Sequence, residues 1–208
     1  MIAFEGIYGC GKTSQIKLLK HWLLSLGYET VETMWNSTEL ENITDSMKSK
    51  EKYDPLTMFY LDMADFRIRY TTIIEPSLKD DKIVLADRYI WTALTRHSLR
   101  GISEDFIMRC CRYAVLPDII FYVEVPALLG AERNIRKRRW NYYSCGMDLS
   151  LAKRKKENFV LYQSKLANKY KKMLANYETV VLDGTAPPMD VHQKVKEAVK
   201  NILFERNR

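Results

Sequence analysis

Residues Gly6 to Thr13 read Gly-Ile-Tyr-Gly-Cys-Gly-Lys-Thr, which fits the phosphate-binding pattern G-x-x-x-x-G-K-[ST]. The flanks strengthen the match. Ile2-Ala3-Phe4-Glu5 is a short apolar run suited to a buried strand, and Gln15-Ile16-Lys17-Leu18-Leu19 opens an amphipathic helix. A strand, a glycine-rich turn and a helix start together make a nest of backbone N–H groups at the positive end of a helix, which favours a polyphosphate. Gly6, Gly9 and Gly11 leave the backbone room to wrap the phosphates. The expected phosphate-binding set is Gly6, Tyr8, Gly9, Cys10, Gly11, Lys12, Thr13 and Ser14. Within it, Lys12 supplies a mobile positive charge at the outer phosphates, and the Thr13 hydroxyl can ligate Mg²⁺.

The order of the remaining elements extends this start. Five short β-like runs stand out: Ile2–Glu5, Thr30–Met34, Ile83–Asp87, Ile119–Val125 and Thr179–Leu182. Helical patterns lie between them. Thr13–Leu26 ends at Gly27, a plausible C-terminal cap. Pro55 to about Lys79 is long, with an interruption expected at Pro76. Ser103 can cap a helix to Val115 that Pro117 stops, and Pro126 can sit in the first turn of a helix through an arginine cluster. A long helix is expected from about Leu151 to Tyr177, and a last one from Pro187–Pro188 to about Phe204. Alternating strands and helices imply an α/β fold of three layers, a mostly parallel sheet with helices on both faces. The 208 residues suffice for one such domain, expected to span the whole chain.

Ligands of such sheets gather at the carboxyl ends of the strands. That makes Trp35-Asn36-Ser37, Asp87-Arg88-Tyr89 and Asp183-Gly184-Thr185 site candidates beside the loop after Glu5. Asp87 ends an apolar strand, where an aspartate can approach Mg²⁺ directly or through water. Arg88 follows at once and can hold a second phosphate bidentately.

Charge adds a third part. The formal net charge is +7, and Glu132 to Arg139 together with Lys153 to Lys156 carry much of the excess. Lys153–Lys156 reads as a solvated helix face. Arg133, Arg136, Arg138 and Arg139 come after the fourth strand, where a mobile lid can bring arginines to charge developing between donor and acceptor. A lid is expected at about residues 133–155, with Trp140 to Gly146 as its tip. Cys10, Cys110, Cys111 and Cys145 lack metal-ligand spacing and read as free thiols of a reducing compartment. No apolar run reaches membrane-spanning length and the first strand begins almost at Met1, so a cytoplasmic protein with no membrane partner is expected.

With these residues in place the chain resembles the thymidylate kinase family over nearly its whole length. Phe4-Glu5-Gly6 with Gly9-x-Gly11-Lys12-Thr13-Ser14-Gln15 is similar to the family's opening motif. Ala64-Asp65, Ile74-x-Pro76-x-Leu78 and Asp87-Arg88-Tyr89 are similar to its central region. Pro117-Asp118, Val125-Pro126 and Arg133 match the fourth strand and the helix after it, and Phe159 and Tyr170 fit the long helix after the lid. The resemblance implies a five-stranded parallel sheet, ATP as donor, Mg²⁺ held by Thr13 and Asp87, a small nucleotide acceptor and often a homodimer. It also implies that Lys12 and a lid arginine, Arg133 or Arg138, serve transfer while Arg88 holds the acceptor's phosphate.

The departures cluster on the acceptor side. Tyr8 stands where the family usually has an acidic residue near the acceptor sugar, and Trp35-Asn36-Ser37 stands for Arg-Glu-Pro. Asp62 falls at the aromatic that stacks on thymine, Phe66 at the base-reading arginine, and Arg96-His97 at a Tyr-Gln pair. Losing hydrogen-bond discrimination is the costly kind of loss. Replacement contacts are expected from Trp35 and Phe66 as stacking groups, with a core position the alternative for both. Asp62 can accept from an exocyclic amine or hydroxyl, and Arg96 can pair with an added anionic group. His97 reads as an ordinary surface histidine. The acceptor-side set is thus Tyr8, Trp35, Asp62, Phe66, Arg88 and Arg96. Two other readings remain: a kinase for another acceptor, or a nucleotide-dependent binding protein. Nucleic acid is not the expected partner, and Asn168-Lys169 lacks the aspartate of a guanine-specific switch.

Overall fold

The computed structural model describes residues 1–49, 54–136 and 141–206. Strands β1 (Ile2–Glu5), β2 (Thr30–Met34), β3 (Ile83–Asp87), β4 (Ile119–Glu124) and β5 (Thr179–Asp183) form one sheet in the order β2-β3-β1-β4-β5. Every pairing is parallel. β1 lies at the centre with all four residues buried, as expected for a strand covered on both faces. Phe4 is in register with Asp87 on one side and Phe121 on the other, so β3 ends opposite Phe4, β1 one residue beyond it and β4 three residues beyond it.

The two-residue alternation of a strand divides the core in two. Ile2, Phe4, Leu85, Phe121 and Val123 point to one face. There they meet Ile16, Leu19 and Leu23 of α1 (Lys12–Ser25) and Val191, Val195 and Val199 of α9 (Pro188–Arg206). Ala3, Val84, Ala86, Ile120 and Tyr122 point to the other. They pack on Phe59, Met63 and Phe66 of α3 (Pro55–Arg69), on Ile90, Trp91 and Leu94 of α5 (Ile90–Ser98), and on Tyr170 and Leu174 of α8 (Lys155–Leu174). The three- and four-residue spacing on α1, α3, α8 and α9 is the apolar stripe that burial requires, whereas α5 is buried on every side.

The expected strands are all present, with β4 one residue shorter and β5 one residue longer. The interruption expected at Pro76 comes just before it. Tyr70–Ile74 widens into a π-helical turn, in which the Glu75 amide donates to the Tyr70 carbonyl, before α4 (Glu75–Lys79) resumes. Proline has no N–H for the carbonyl four residues back, and the wider turn absorbs that mismatch upstream. α6 (Glu104–Cys111) ends short of Val115, and Ser103 precedes it without a side-chain cap. α2 (Glu41–Ser49) and α5 had no counterpart among the expected helices. α7 (Ala127–Arg136) starts after Pro126 as anticipated.

One close approach fixes α7 against the phosphate-binding loop. A methyl group on Gly9, whose φ is +75°, would lie 2.2 Å from the Gly130 carbonyl oxygen; one on Gly130 would lie 2.5 Å from the Tyr8 carbonyl oxygen. Only two glycines let the backbones meet this closely.

Candidate active site

The loop between β1 and α1 has the form its sequence demands. Gly6, Gly9 and Gly11 all take positive φ. Gly11 caps α1 with no side-chain hydrogen bond, and no acidic residue occupies the first turn, so the positive end of a 14-residue helix is left to an anion. Lys12 is buried and its ammonium lies over the loop, donating to the carbonyls of Gly6 and Ile7 at 3.0 Å each and to Cys10 Sγ at 3.3 Å. The Tyr8 amide instead donates to Gln163 Oε1 at 3.0 Å, which ties the loop to α8.

The Thr13 hydroxyl donates to Asp87 Oδ2 at 2.6 Å. Two hard oxygen donors thus meet at the rim of the loop, the donor set a divalent cation prefers. Arg88, next in the chain, is held with φ +79°, a strained conformation for a side-chain-bearing residue of the kind found at functional sites. Its amide donates to the Phe4 carbonyl at 3.0 Å, and its Nη1 to Tyr170 Oη at 3.2 Å and Thr92 Oγ1 at 3.4 Å.

Glu5 organises this corner, a part that sequence reasoning missed. Fully buried at the end of β1, its Oε1 accepts from the amides of Tyr89 at 2.8 Å and Thr92 at 3.2 Å, and its Oε2 accepts from the Thr92 hydroxyl at 2.8 Å. Burial raises its pKa, against the opposing pull of Arg88 and these hydrogen bonds. A carboxylate at the end of a buried strand was the available signal.

Tyr8 stands between the guanidinium groups of Arg88 and Arg96. Their Cζ atoms lie 5.0 and 5.3 Å from its ring centroid, and Arg96 Nη2 donates to the Tyr8 oxygen at 3.1 Å. Burial works to raise the Tyr8 pKa, but Arg96, Arg88, Lys48 and Lys12 outweigh it and leave the phenol below its usual value. Arg88 and Arg96 are close enough to oppose one another's charge. Buried like charges held this close together suit a dianionic phosphate.

Other expected acceptor residues are engaged elsewhere. Trp35 and Phe66 stack on one another with centroids 5.5 Å apart and planes 22° apart. Both are buried, and Phe66 also packs on Tyr89 and Tyr113, so the core position replaces the expected base-stacking one for both. His97 corrects the surface reading: it is fully buried, and its Nε2 lies 2.9 Å from Asp62 Oδ2. Arg133 donates to the Gly184 carbonyl at 2.8 Å and the Gly9 carbonyl at 3.5 Å, which fastens α7 to the loop and to the turn after β5. Arg138 and Arg139 lie outside the described residues, as does the side chain of Arg136.

The segment expected as a lid tip is packed down rather than raised. Tyr143, Ser144 and Cys145 are buried. The Tyr143 amide donates to the Lys48 carbonyl at 3.0 Å. Arg100 grips Asp148 through Nε at 2.8 Å and Nη2 at 3.1 Å, and its Nη2 also donates to the Tyr143 carbonyl at 3.1 Å. Its Cζ lies 3.9 Å from the Tyr143 ring centroid. Arg100, Asp148, Lys48, Thr92 and Gln163 were not singled out in the sequence. Each has a partner 19 or more residues away along the chain, a separation that no local pattern encodes.

The geometry can therefore hold a polyphosphate on the loop and a second phosphate beside Arg88. Comparison with known proteins gives the same direction. A sequence model of thymidylate kinase matches residues 4–195. The chain is 33% identical over 201 residues to a probable thymidylate kinase 2 of Saccharolobus solfataricus, covering 95% of this chain and 93% of that one. It is 30% identical over 207 residues to a probable thymidylate kinase of Methanocaldococcus jannaschii, covering 97% and 96%. It is also 30% identical over 207 residues to a thymidylate kinase of a Sulfurihydrogenibium species, covering 96% of each. This chain belongs to the thymidylate kinase family.

Proposed function

We propose that the protein is a nucleoside monophosphate kinase that transfers the γ-phosphate of ATP to an acceptor phosphate, with dTMP the default acceptor by family. One observation supports this most: Tyr8, within the Lys12 loop, is in direct contact with both Arg88 and Arg96. A donor chain and an acceptor phosphate would meet there.

In this reading the nest from Gly6 to Ser14 holds the donor phosphates. Lys12 exchanges its loop carbonyls for phosphate oxygens and stabilises charge as it moves. Thr13 and Asp87 are the residues that would hold Mg²⁺, their oxygens already paired at 2.6 Å. When bound, the ion would neutralise charge on the donor phosphate oxygens. Arg88 orients the acceptor phosphate for in-line attack, with Tyr170 and Thr92 fixing its guanidinium. Arg133 positions the loop through Gly9. Arg138 is the remaining proposed transfer arginine, on the segment proposed to act as the lid. A single catalytic domain over the whole chain, a homodimer and a cytoplasmic location complete the reading. Among the described residues no helix is long and apolar enough to cross a membrane.

The test is ADP release from Mg-ATP against a panel of nucleoside monophosphates. Turnover with at least one of them is expected, with Lys12→Ala lowering kcat by about 100-fold or more. Full activity in that variant would refute the mechanism. Light scattering would check the dimer.

A further inference from the structure

Asp62 on α3 and His97 on α5 form a pair sealed inside the protein. Their contact uses Asp62 Oδ2 and His97 Nε2. It leaves Asp62 Oδ1 and His97 Nδ1 buried with no hydrogen-bond partner among the described residues. A buried polar atom without a partner costs about 1–3 kcal/mol, more when charged, so a donor supplied to it is strongly favoured. Asp62 is charged. Burial works against ionisation, but the bond and charge of His97, with Lys48 and Arg96, hold the carboxyl at about 2. Oδ1 is therefore a pure acceptor, and the contact of the ionised Oδ2 with His97 Nε2 assigns a proton to that nitrogen.

Position indicates what can supply the missing donor. Arg96 touches the Tyr8 oxygen, and the next residue on α5 holds Asp62. Arg96 and Lys48 act on the charge of both Tyr8 and Asp62, so Asp62 belongs to the same charged neighbourhood as the proposed acceptor-phosphate site. Tyr143 lies within electrostatic range of both Asp62 and Arg96, so the 141–149 segment covers this end and must lift to admit a ligand.

We propose that the Asp62–His97 pair reads an exocyclic amine, so that the preferred acceptor is a nucleoside monophosphate with an amino group beside a ring nitrogen, as in cytosine or adenine. This rests on the phosphotransfer reading above. An amine donates to Oδ1. A carbonyl at the same place sets two acceptors against each other and leaves the carboxylate unpaired, a strong basis for discrimination.

The matched probes are dTMP and 5-methyl-dCMP, which share sugar, phosphate and methyl group and differ only along the base edge. Wild-type kcat/KM is expected to favour 5-methyl-dCMP by about 10- to 100-fold, the range of a hydrogen bond to a charged group. Asp62→Asn, checked for folding by circular dichroism, is expected to shrink that ratio toward one. Equal use of the two, or a preference for dTMP, overturns the inference and leaves the kinase reading standing. If no monophosphate is turned over, the kinase reading falls instead, and calorimetric dissociation constants for the same two nucleotides decide the inference. Tighter 5-methyl-dCMP upholds it; equal, reversed or absent binding overturns it.

Discussion

At the scale of single residues, the acceptor side is governed by buried charge. Asp62 ionises near 3.8 in the unfolded chain and at about 2 in the folded one. A depressed carboxyl pKa contributes stability that is present above the unfolded value and lost as pH falls through the folded one. Asp62→Asn should therefore be less stable than wild type at neutral pH, by on the order of 2 kcal/mol, with the deficit narrowing as pH falls from about 4 toward 2. Denaturant melts of both proteins across that range test this, and a deficit that ignores pH would contradict it. Gly9→Ala places a methyl group 2.2 Å from a backbone oxygen at positive φ. It should cost about 1–3 kcal/mol and weaken ATP binding at least tenfold, read by thermal shift and nucleotide titration. The loop was legible because its chemistry is local: glycines, a lysine and a hydroxyl in eight consecutive residues. His97 was misread for the opposite reason. Its partner is 35 positions away, and a histidine on an amphipathic helix carries no mark of being buried.

Among the elements, the 141–149 segment depends on one arginine. Arg100 gives Asp148 a bidentate grip and a third bond to the Tyr143 carbonyl. Asp148→Asn should loosen the segment. Amide hydrogen exchange there should accelerate by about tenfold or more, with the KM for the acceptor changing more than that for ATP. Unchanged exchange would mean that the segment is held elsewhere, for instance by Asn158 on the Cys145 carbonyl. The strands were read almost to the residue, since short β-branched runs between turns leave few alternatives. α5 was missed because it is only nine residues long and its Thr, Arg and His side chains, buried from Ile90 to His97, read in the sequence as polar surface positions rather than as core.

For the whole molecule, the sheet carries the site, so damage at its centre should reach every ligand. Phe121 stacks on Phe4 with centroids 4.9 Å apart and is fully buried. Phe121→Ala should lower stability by about 3–5 kcal/mol in a melting experiment, far more than a surface change. Strand number and parallel direction could be inferred from the alternation of elements. The order β2-β3-β1-β4-β5 is set by how the connecting helices cross the two faces, and no single stretch of sequence records it. The contact between Gly9 and Gly130 has a mechanical consequence. Elsewhere in a core, packed side chains can take up a small displacement by changing rotamer. Here two main chains touch with nothing between them, like gear teeth cut without backlash. When nucleotide settles into the loop, the first turns of α7 must register it immediately, and the arginines further along that helix would be moved by the cargo they are proposed to serve.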